Sequence, residues 1–223
     1  HPDTGFDGEI LELKVDCECR KPKIGMFTSA ALNHDIDLLH SWMIGDSSSD
    51  LRAGNSFGGR SILVSTGAGG NDGKYPTRPV FEAEHVSAAV DFLLGDAVKI
   101  ENFLSNIEGE LLKNPVICVS GLPMSGKTSL ASNLKWFLRT KNLSAHILDM
   151  DTFLLDEIGD VASLQNAFAL DLLRKTINGF LSNKSDKFLD RKFDRLNHTI
   201  TDFEQEEILG DRVLIIDGTL SHY

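Results

Sequence analysis

The segment VICVSGLPMSGKTSL, residues Val116–Leu130, decides the fold of the second half of the chain. It runs from an apolar, strand-like stretch into Gly121-x-x-x-x-Gly126-Lys127-Thr128, and then into a helix with apolar residues on one face. The glycines let successive backbone N–H groups turn inward around phosphate oxygens, and the following helix adds the positive end of its dipole. We therefore predict a phosphate-binding loop, the alternative being a chance glycine-rich turn.

Six residues of this loop are the predicted nucleotide ligands. Lys127 is expected to place its ammonium on the outer phosphates and to act in catalysis, and Thr128 to offer its hydroxyl to Mg²⁺. The full predicted set is Gly121, Ser125, Gly126, Lys127, Thr128 and Ser129. A loop of this kind predicts ATP as a cofactor.

Composition narrows the class of protein. The chain has 223 residues, enough for two ordinary domains or one large one, and 41% of them are hydrophobic. No apolar run reaches the roughly 18 residues of a membrane span, and the N-terminus lacks a signal-peptide pattern. With 22 basic and 33 acidic residues the net charge is −11, which argues against a nucleic-acid partner. These features predict a cytoplasmic protein with a small-molecule substrate.

The three cysteines indicate a reducing compartment rather than a disulfide framework. Cys118 lies in the apolar strand before the loop and is predicted to be a small core residue. Cys17 and Cys19 are one residue apart, so both thiols can reach one Zn²⁺, although they supply only half of a tetrahedral site. His1 is a possible third ligand. The alternative is a pair of reduced surface thiols.

The chain has the marks of a segment of a longer protein, since it opens at His1 without methionine and Tyr223 follows closely on a buried-type strand. We predict one domain over residues 1–95, a connecting helix over 96–114 and a second domain over 115–223. A helix over 163–181 belongs to the second domain.

Strands and helices alternate in the first domain, which predicts a parallel sheet. We expect strands over 9–15, 42–44 and 61–65 and helices over 26–39 and 82–94. The strand over 42–44 leads into Gly45-Asp46-Ser47-Ser48-Ser49-Asp50. Because ligands bind at the C-terminal ends of parallel strands, Asp46 and Asp50 are predicted to hold Mg²⁺. The alternative is an aspartate that caps the next helix.

Two stretches of the first domain resemble a known family. CECRKPKIGM, residues 17–26, and IGDSSSD, residues 44–50, are similar to the second half of haloacid-dehalogenase (HAD)-type phosphatases, in the histidinol-phosphate and heptose-bisphosphate branch. The resemblance implies that Lys21 neutralises the phosphoryl group and that Arg20 contacts the substrate.

The same resemblance implies two metal sites. Asp46 matches the Mg²⁺ ligand of the family and Asp50 the second acid of its motif, while Cys17 and Cys19 match the second half of a zinc-binding loop. The nucleophile of the family is an aspartate in an Asp-x-Asp motif near the start of the domain, and no such motif precedes Arg20.

The second domain has two further strands that end in carboxylates. We predict a strand over 144–150 leading to Asp151, and a strand over 212–218 in which Asp217 reaches Mg²⁺. Transfer of a phosphoryl group to an alcohol needs a base near the acceptor, and Asp151 is our candidate. The alternative role of Asp151 is a helix cap.

The motifs that follow resemble uridine-kinase-type P-loop kinases. Met150-Asp151-Thr152-Phe153 matches the strand-end motif of that family, whose aspartate is the catalytic base. Phe193-Asp194-Arg195-Leu196-Asn197-His198-Thr199 is similar to its substrate segment, with Phe193 in place of tyrosine. The resemblance implies substrate binding by Phe193, Asp194 and His198. It stops before the lid and last strands that such a kinase domain has.

We therefore predict an α/β protein with two Rossmann-like parallel-sheet domains, both incomplete in this chain. Its predicted function is that of a phosphatase joined to a kinase, acting on small phosphorylated sugars or nucleosides with ATP, Mg²⁺ and Zn²⁺. One alternative is a polynucleotide kinase with 3′-phosphatase activity, whose domain order is the same. The other is a nucleotide-binding module that has lost turnover.

Overall fold

The computed structural model describes residues 10, 12, 15–75, 78–122, 124–153, 170–182, 187–194, 199–207 and 212–218. The chain divides into two compact units, His1–Val98 and Lys99–Tyr223. Within the described ranges, no helix has both the length and the apolar character needed to cross a membrane.

A three-stranded parallel sheet forms the centre of the first unit, with strand order β1-β2-β3. Its elements are, in chain order, α1 (Gly25–His34), β1 (Trp42–Gly45), α2 (Ser48–Ser56), β2 (Arg60–Val64), β3 (Phe81–Ala83) and α3 (Val86–Leu94). The C-terminal end of β1 therefore meets the start of α2 after only two residues, Asp46 and Ser47.

The core of this unit is built on β2, in which Ile62 and Val64 are buried. Leu51 of α2 is buried as well, and the ring of Phe81 stacks on that of Phe92 with centroids 4.1 Å apart. Burying such side chains stabilises by about 1.5–3 kcal/mol each. This packing fixes the sheet whose end carries the predicted acidic pair.

A second parallel sheet, of order β4-β8-β5, forms the centre of the second unit, beside an antiparallel hairpin of β6 and β7. The elements are α4 (Asp96–Asn106), α5 (Glu108–Leu111), β4 (Val116–Ser120), α6 (Lys127–Thr140), β5 (Ser144–Asp149), a 3₁₀ turn (Met150–Phe153), α7 (Leu170–Leu181), β6 (Lys187–Asp194), β7 (Thr199–Glu207) and β8 (Arg212–Gly218). The helix α4 begins before the boundary between the units.

The middle strand β8 is buried in this unit, with Leu214 and Ile215 fully enclosed. Leu148, Phe153 and Phe180 pack with Leu214 in one cluster. The helix after the loop, α6, buries Leu134, Phe137 and Leu138 at the predicted helical spacing. The strand, loop and helix of the opening segment thus form as the sequence predicts.

The prediction of an α/β fold with two parallel sheets is confirmed. The strands over 42–45 and 212–218 lie where the sequence places them. The helix predicted over 163–181 is described only as α7, because residues 163–169 lie outside the described residues. Most of the strand predicted over 9–15 lies outside them too.

Three predicted helices were wrong in extent. The helix predicted over 82–94 begins as β3, because pairing with β2 buries Ala83, and α3 starts only after the side chain of His85 accepts the N–H of Ala88. The connecting helix divides at Ile107 into α4 and α5. The first helix ends at His34, since Asp35 takes up a left-handed conformation with φ of 53°.

The prediction that Cys118 is a core residue was wrong, because its side chain is exposed. Successive residues of a strand point to opposite faces of the sheet. Val119 takes the buried face of β4, so Cys118 points to the other one.

Candidate functional site

A capping box joins the end of β1 to the start of α2. Ser47 is the N-cap of α2, and its hydroxyl accepts the backbone N–H of Asp50. In return, Asp50 Oδ2 accepts the backbone N–H of Ser47 at 3.2 Å and its hydroxyl at 2.8 Å. The residue that caps this helix is thus Ser47 rather than an aspartate, and Asp50 completes the capping box as its third helical residue.

Lys21 reaches the same carboxylate from a turn 29 residues earlier in the chain. Its ammonium donates to Asp50 Oδ1, and the two side chains are 42% and 7% exposed. Burial by itself raises the pKa of Asp50, but hydrogen bonds from Lys21 and Ser47 outweigh it and hold the pKa below its usual value. The result is a fixed cation that still faces solvent at the end of the sheet.

Asp46 is held by the loop that follows β2. Its Oδ2 accepts the backbone N–H of Ala68 at 2.7 Å, and its carbonyl accepts that of Gly70 at 2.7 Å. Gly67 has φ of 71°, and a Cβ there would lie 2.1 Å from Oδ2. Oδ1 accepts no hydrogen bond from any described residue. The loop thus binds Oδ2 of Asp46 through a hydrogen bond and leaves Oδ1 available to another ligand.

This arrangement fits a magnesium site better at Asp46 than at Asp50. Mg²⁺ keeps several waters and needs only one or two protein carboxylates when a phosphate supplies further oxygens. Asp46 offers an unengaged oxygen, whereas both oxygens of Asp50 already have partners. Among the described residues no three His, Cys, Asp or Glu side chains gather as a metal cluster. Metal binding by both aspartates stays a prediction.

Cys17 and Cys19 lie close together in the turn before Lys21 and are half-buried. The pKa of Cys17 is lowered, chiefly by a hydrogen bond from the backbone of Cys19. The pKa of Cys19 is raised, chiefly by the hydrogen bond between the two thiols. Two thiols in contact can bind one ion, but His1 lies outside the described residues and no third ligand joins the pair among the described ones. Zinc binding by Cys17 and Cys19 therefore stays a prediction. Arg20, the next residue, is half-buried, and its contact with a substrate also stays a prediction.

The described part of the predicted phosphate-binding loop forms a tight turn between β4 and α6. Met124 and Gly126 adopt left-handed conformations, with φ of 63° and 86°, and Gly126 is the N-cap of α6. Ser125 N–H donates to Leu122 O at 3.2 Å, which closes the turn. The ammonium of Lys127 folds back onto Leu122 O at 2.8 Å. The ammonium group of Lys127 therefore lies against the loop.

Three carboxylates lie at the same end of the second sheet. Asp217 is 3% exposed and pairs in register with Val119 on one side and Asp149 on the other. Asp149 Oδ1 accepts the backbone N–H of Asp151 at 2.9 Å, which helps to form the 3₁₀ turn that carries Asp151. The topology therefore brings Asp151 and Asp217 to the sheet end from which the phosphate-binding loop leaves. Their chemical roles remain predictions, as do those of Thr128 and Ser129.

The predicted substrate segment is only partly described. Phe193 and Asp194 end β6, where they pair in register with Ile200 and Thr199 of β7. His198 lies outside the described residues. The hairpin itself was not predicted, and substrate binding by these three residues remains a prediction.

Two residues of the first site were missed by the sequence analysis. Ser47 had a readable signal, because Ser-x-x-Asp ahead of a helix is close to the capping-box pattern. Asp72 had none. Its oxygens accept the backbone N–H and the hydroxyl of Ser48, both at 2.8 Å and across 24 residues of sequence.

Replacing Asp50 with alanine is expected to destabilise the first unit by about 2–3 kcal/mol at pH 7, from the loss of two hydrogen bonds to Ser47 and one to a half-exposed lysine. Because the folded pKa of Asp50 is depressed, its stabilisation is present above the unfolded pKa and is lost as the pH falls through the folded pKa. The difference between wild type and Asp50→Ala in urea unfolding should therefore shrink below about pH 4.

Asp91→Ala is the matched control, since Asp91 is an exposed aspartate on α3. It should change the unfolding free energy by less than about 0.5 kcal/mol. Equal stability of Asp50→Ala and wild type at pH 7 would contradict the role assigned to the capping box and the ion pair.

Comparison with known families divides the chain in the same way as its motifs. Residues 18–89 match the HAD-hydrolase-like family model, and residues 114–191 match the model of the chromatin associated protein KTI12. The predicted resemblance of the first half to HAD-type phosphatases is confirmed. The second half matches a P-loop kinase-like family, as predicted, and the matching model is that of KTI12.

Curated relatives match the first half. The chain is 40% identical over 78 residues to D-glycero-D-manno-heptose-1,7-bisphosphate 7-phosphatase of Thermosynechococcus vestitus, which covers 33% of this chain and 40% of that protein. It is 48% identical over 59 residues to D-glycero-beta-D-manno-heptose-1,7-bisphosphate 7-phosphatase of Vibrio cholerae, covering 26% of this chain and 32% of that protein. The chain therefore spans less than half the length of these relatives.

A solved structure matches over a similar share. It is the D,D-heptose 1,7-bisphosphate phosphatase of B. bronchiseptica complexed with magnesium and phosphate, at 35% sequence identity and a TM-score of 0.32. The match covers 36% of this chain and 46% of that one.

Proposed function

We propose that the first unit belongs to a Mg²⁺-dependent phosphatase of small sugar phosphates and that the second unit binds ATP and transfers its terminal phosphoryl group to an alcohol. The observation that carries the proposal is the network at the end of β1. There Lys21 and Ser47 hold Asp50, next to an Asp46 carboxylate with one oxygen unengaged.

In the phosphatase, this network would act on the phosphoryl group. The ammonium of Lys21 is fixed by Asp50 and half-exposed, so it can neutralise a phosphate oxygen as negative charge is redistributed. Arg20, from the same turn, would contact the substrate. Mg²⁺ held by Asp46 would stabilise the remaining charge on the phosphoryl oxygens. The nucleophilic aspartate that the resemblance implies would precede Arg20, so activity is to be measured on the full-length protein.

In the kinase, the phosphate-binding loop would hold ATP through its backbone N–H groups and Lys127. Thr128 and Asp217 would hold Mg²⁺, and Asp151 would accept the proton of the acceptor hydroxyl. Phe193, Asp194 and His198 would contact the acceptor. The proposal draws support from the left-handed Gly126 that opens α6 and from the register of Asp217 beside Val119, the penultimate residue of the strand that leads to the loop.

The substrate of the phosphatase is proposed to be a sugar bisphosphate. The relatives described above are heptose-bisphosphate phosphatases, and the net charge of −11 disfavours a polyanionic chain as substrate. Zinc at Cys17 and Cys19 is proposed as a structural ion, because thiolate ligands are typical of structural zinc sites, and its other two ligands would come from residues outside this pair.

The test is phosphate release by the full-length protein, with Mg²⁺, from a heptose or hexose bisphosphate and from a 3′-phosphorylated oligonucleotide. We expect faster release from the sugar by at least about tenfold in kcat/KM, which corresponds to about 1.4 kcal/mol. Faster release from the oligonucleotide would favour the polynucleotide alternative, and no release from either would favour a binding module. Transfer of labelled phosphate from ATP to small alcohols tests the kinase separately.

A further inference from the structure

The loop Ser65–Tyr75, here called the glycine loop, follows β2 and forms hydrogen bonds with Asp46. Four of its residues adopt positive φ values between 53° and 76°, namely Gly67, Gly69, Gly70 and Gly73. Glycine loses more backbone freedom on folding than any other residue, so ordering this loop is costly. Its position therefore depends on the contacts that anchor it.

Two anchors hold the glycine loop against the first site. The first is Asp46 itself, which accepts the N–H groups of Ala68 and Gly70. The second is Asp72. Its Oδ1 accepts the backbone N–H of Ser48, and its Oδ2 accepts the Ser48 hydroxyl, both at 2.8 Å.

Ser48 is a good partner for a carboxylate because of its place in the fold. It is the first residue of α2, where backbone N–H groups lack helical acceptors and the helix dipole favours negative charge. It is 3% exposed, and its hydroxyl also accepts the N–H of Tyr75 at 3.1 Å. The hydrogen bond from the Ser48 backbone, above all, holds the pKa of Asp72 below its usual value. Asp72 is thus ionised at neutral pH.

We propose that Asp72 is a positioning residue for the magnesium ligand Asp46. By fixing the glycine loop to the start of α2, Asp72 keeps the Ala68 N–H aimed at Asp46 Oδ2, so that Oδ1 would be available to hold Mg²⁺. Both oxygens of Asp72 are engaged by Ser48, so it orients the site rather than binding the ion. The inference rests on the proposed function, since it takes Asp46 as the ligand of Mg²⁺.

The test measures Mg²⁺ affinity of the full-length protein by calorimetry without nucleotide, in the wild type and in three variants of the loop. Loss of an outer-shell partner typically weakens metal binding 10- to 100-fold, so Asp72→Ala should raise the Kd for Mg²⁺ about tenfold. Asp72→Asn keeps an acceptor for the Ser48 N–H and should raise it only about threefold. The control Asn71→Ala, at an exposed neighbour in the same loop, should leave the Kd unchanged.

Asp46→Asn separates this inference from the function it rests on. If Asp46→Asn leaves the Kd unchanged, the metal site of the proposed function is wrong. If Asp46→Asn abolishes binding while Asp72→Ala binds like wild type, only the positioning role of Asp72 is overturned. A lower melting temperature of Asp72→Ala with an unchanged Kd would likewise overturn the positioning role of Asp72 and leave the metal site of the proposed function in place. Should Asp72→Ala fail to fold, Asp72→Asn and Ser48→Ala decide, and unchanged Kd values in both would overturn the inference.

Discussion

Lys127→Ala is expected to weaken ATP binding by the second unit about 100-fold. The ammonium of Lys127 lies at the phosphate-binding loop, where it donates to the neutral carbonyl of Leu122. Phosphate oxygens carry formal charge and form stronger hydrogen bonds with a lysine than a carbonyl does, so bound ATP would draw the ammonium away from Leu122. Losing a hydrogen bond to a charged group costs up to about 3 kcal/mol, which gives the stated factor.

Titration of a fluorescent ATP analogue against the full-length protein measures this effect. Lys135→Ala is the matched control, since Lys135 is an exposed lysine two turns further along α6. It should bind the analogue with wild-type affinity. Equal affinity of Lys127→Ala and wild type for the ATP analogue would contradict the proposal that this loop binds phosphate.

The sequence was sufficient for those parts of the fold that local pattern decides. Short apolar stretches predict the strands β1 and β8 without reference to the rest of the chain. The glycine spacing before α6 predicts the loop there in the same way. It was insufficient where tertiary contacts override local preference. Residues Phe81–Ala83 form a strand only because β2 lies beside them, and nothing in their own sequence states that pairing.

The same distinction applies to the first site. The resemblance identified Lys21 and Asp50 as members of one site. It did not indicate that Asp50 binds the lysine with one oxygen and accepts hydrogen bonds from Ser47, the N-cap of α2, with the other. Asp72 could not be predicted, because a single aspartate in a glycine-rich loop has no pattern that points to Ser48. Cys118 was misassigned because its apolar neighbours suggest a strand buried on both faces, whereas β4 leaves that side chain exposed.

Asp46→Asn is expected to reduce Mg²⁺-dependent phosphate release by the full-length protein at least about 100-fold. The amide keeps the shape of the side chain and can still accept the Ala68 N–H, so the glycine loop should stay in place. It removes the negative charge, however, and Mg²⁺ strongly prefers an ionised oxygen ligand. A metal ion supplies several kcal/mol of charge stabilisation in the transition state, so losing it accounts for the stated factor.

Loss of the ionised oxygen should also make the remaining activity depend on higher Mg²⁺ concentrations, which a titration of activity against Mg²⁺ would detect. Glu82→Gln makes the same chemical change at an exposed position on β3 and should behave as wild type in both measurements. Wild-type phosphate release by Asp46→Asn at low Mg²⁺ would mean that the metal binds elsewhere. The loop that holds one oxygen of Asp46 would then serve the fold alone, because the Ala68 N–H would be orienting a carboxylate with no part in the chemistry.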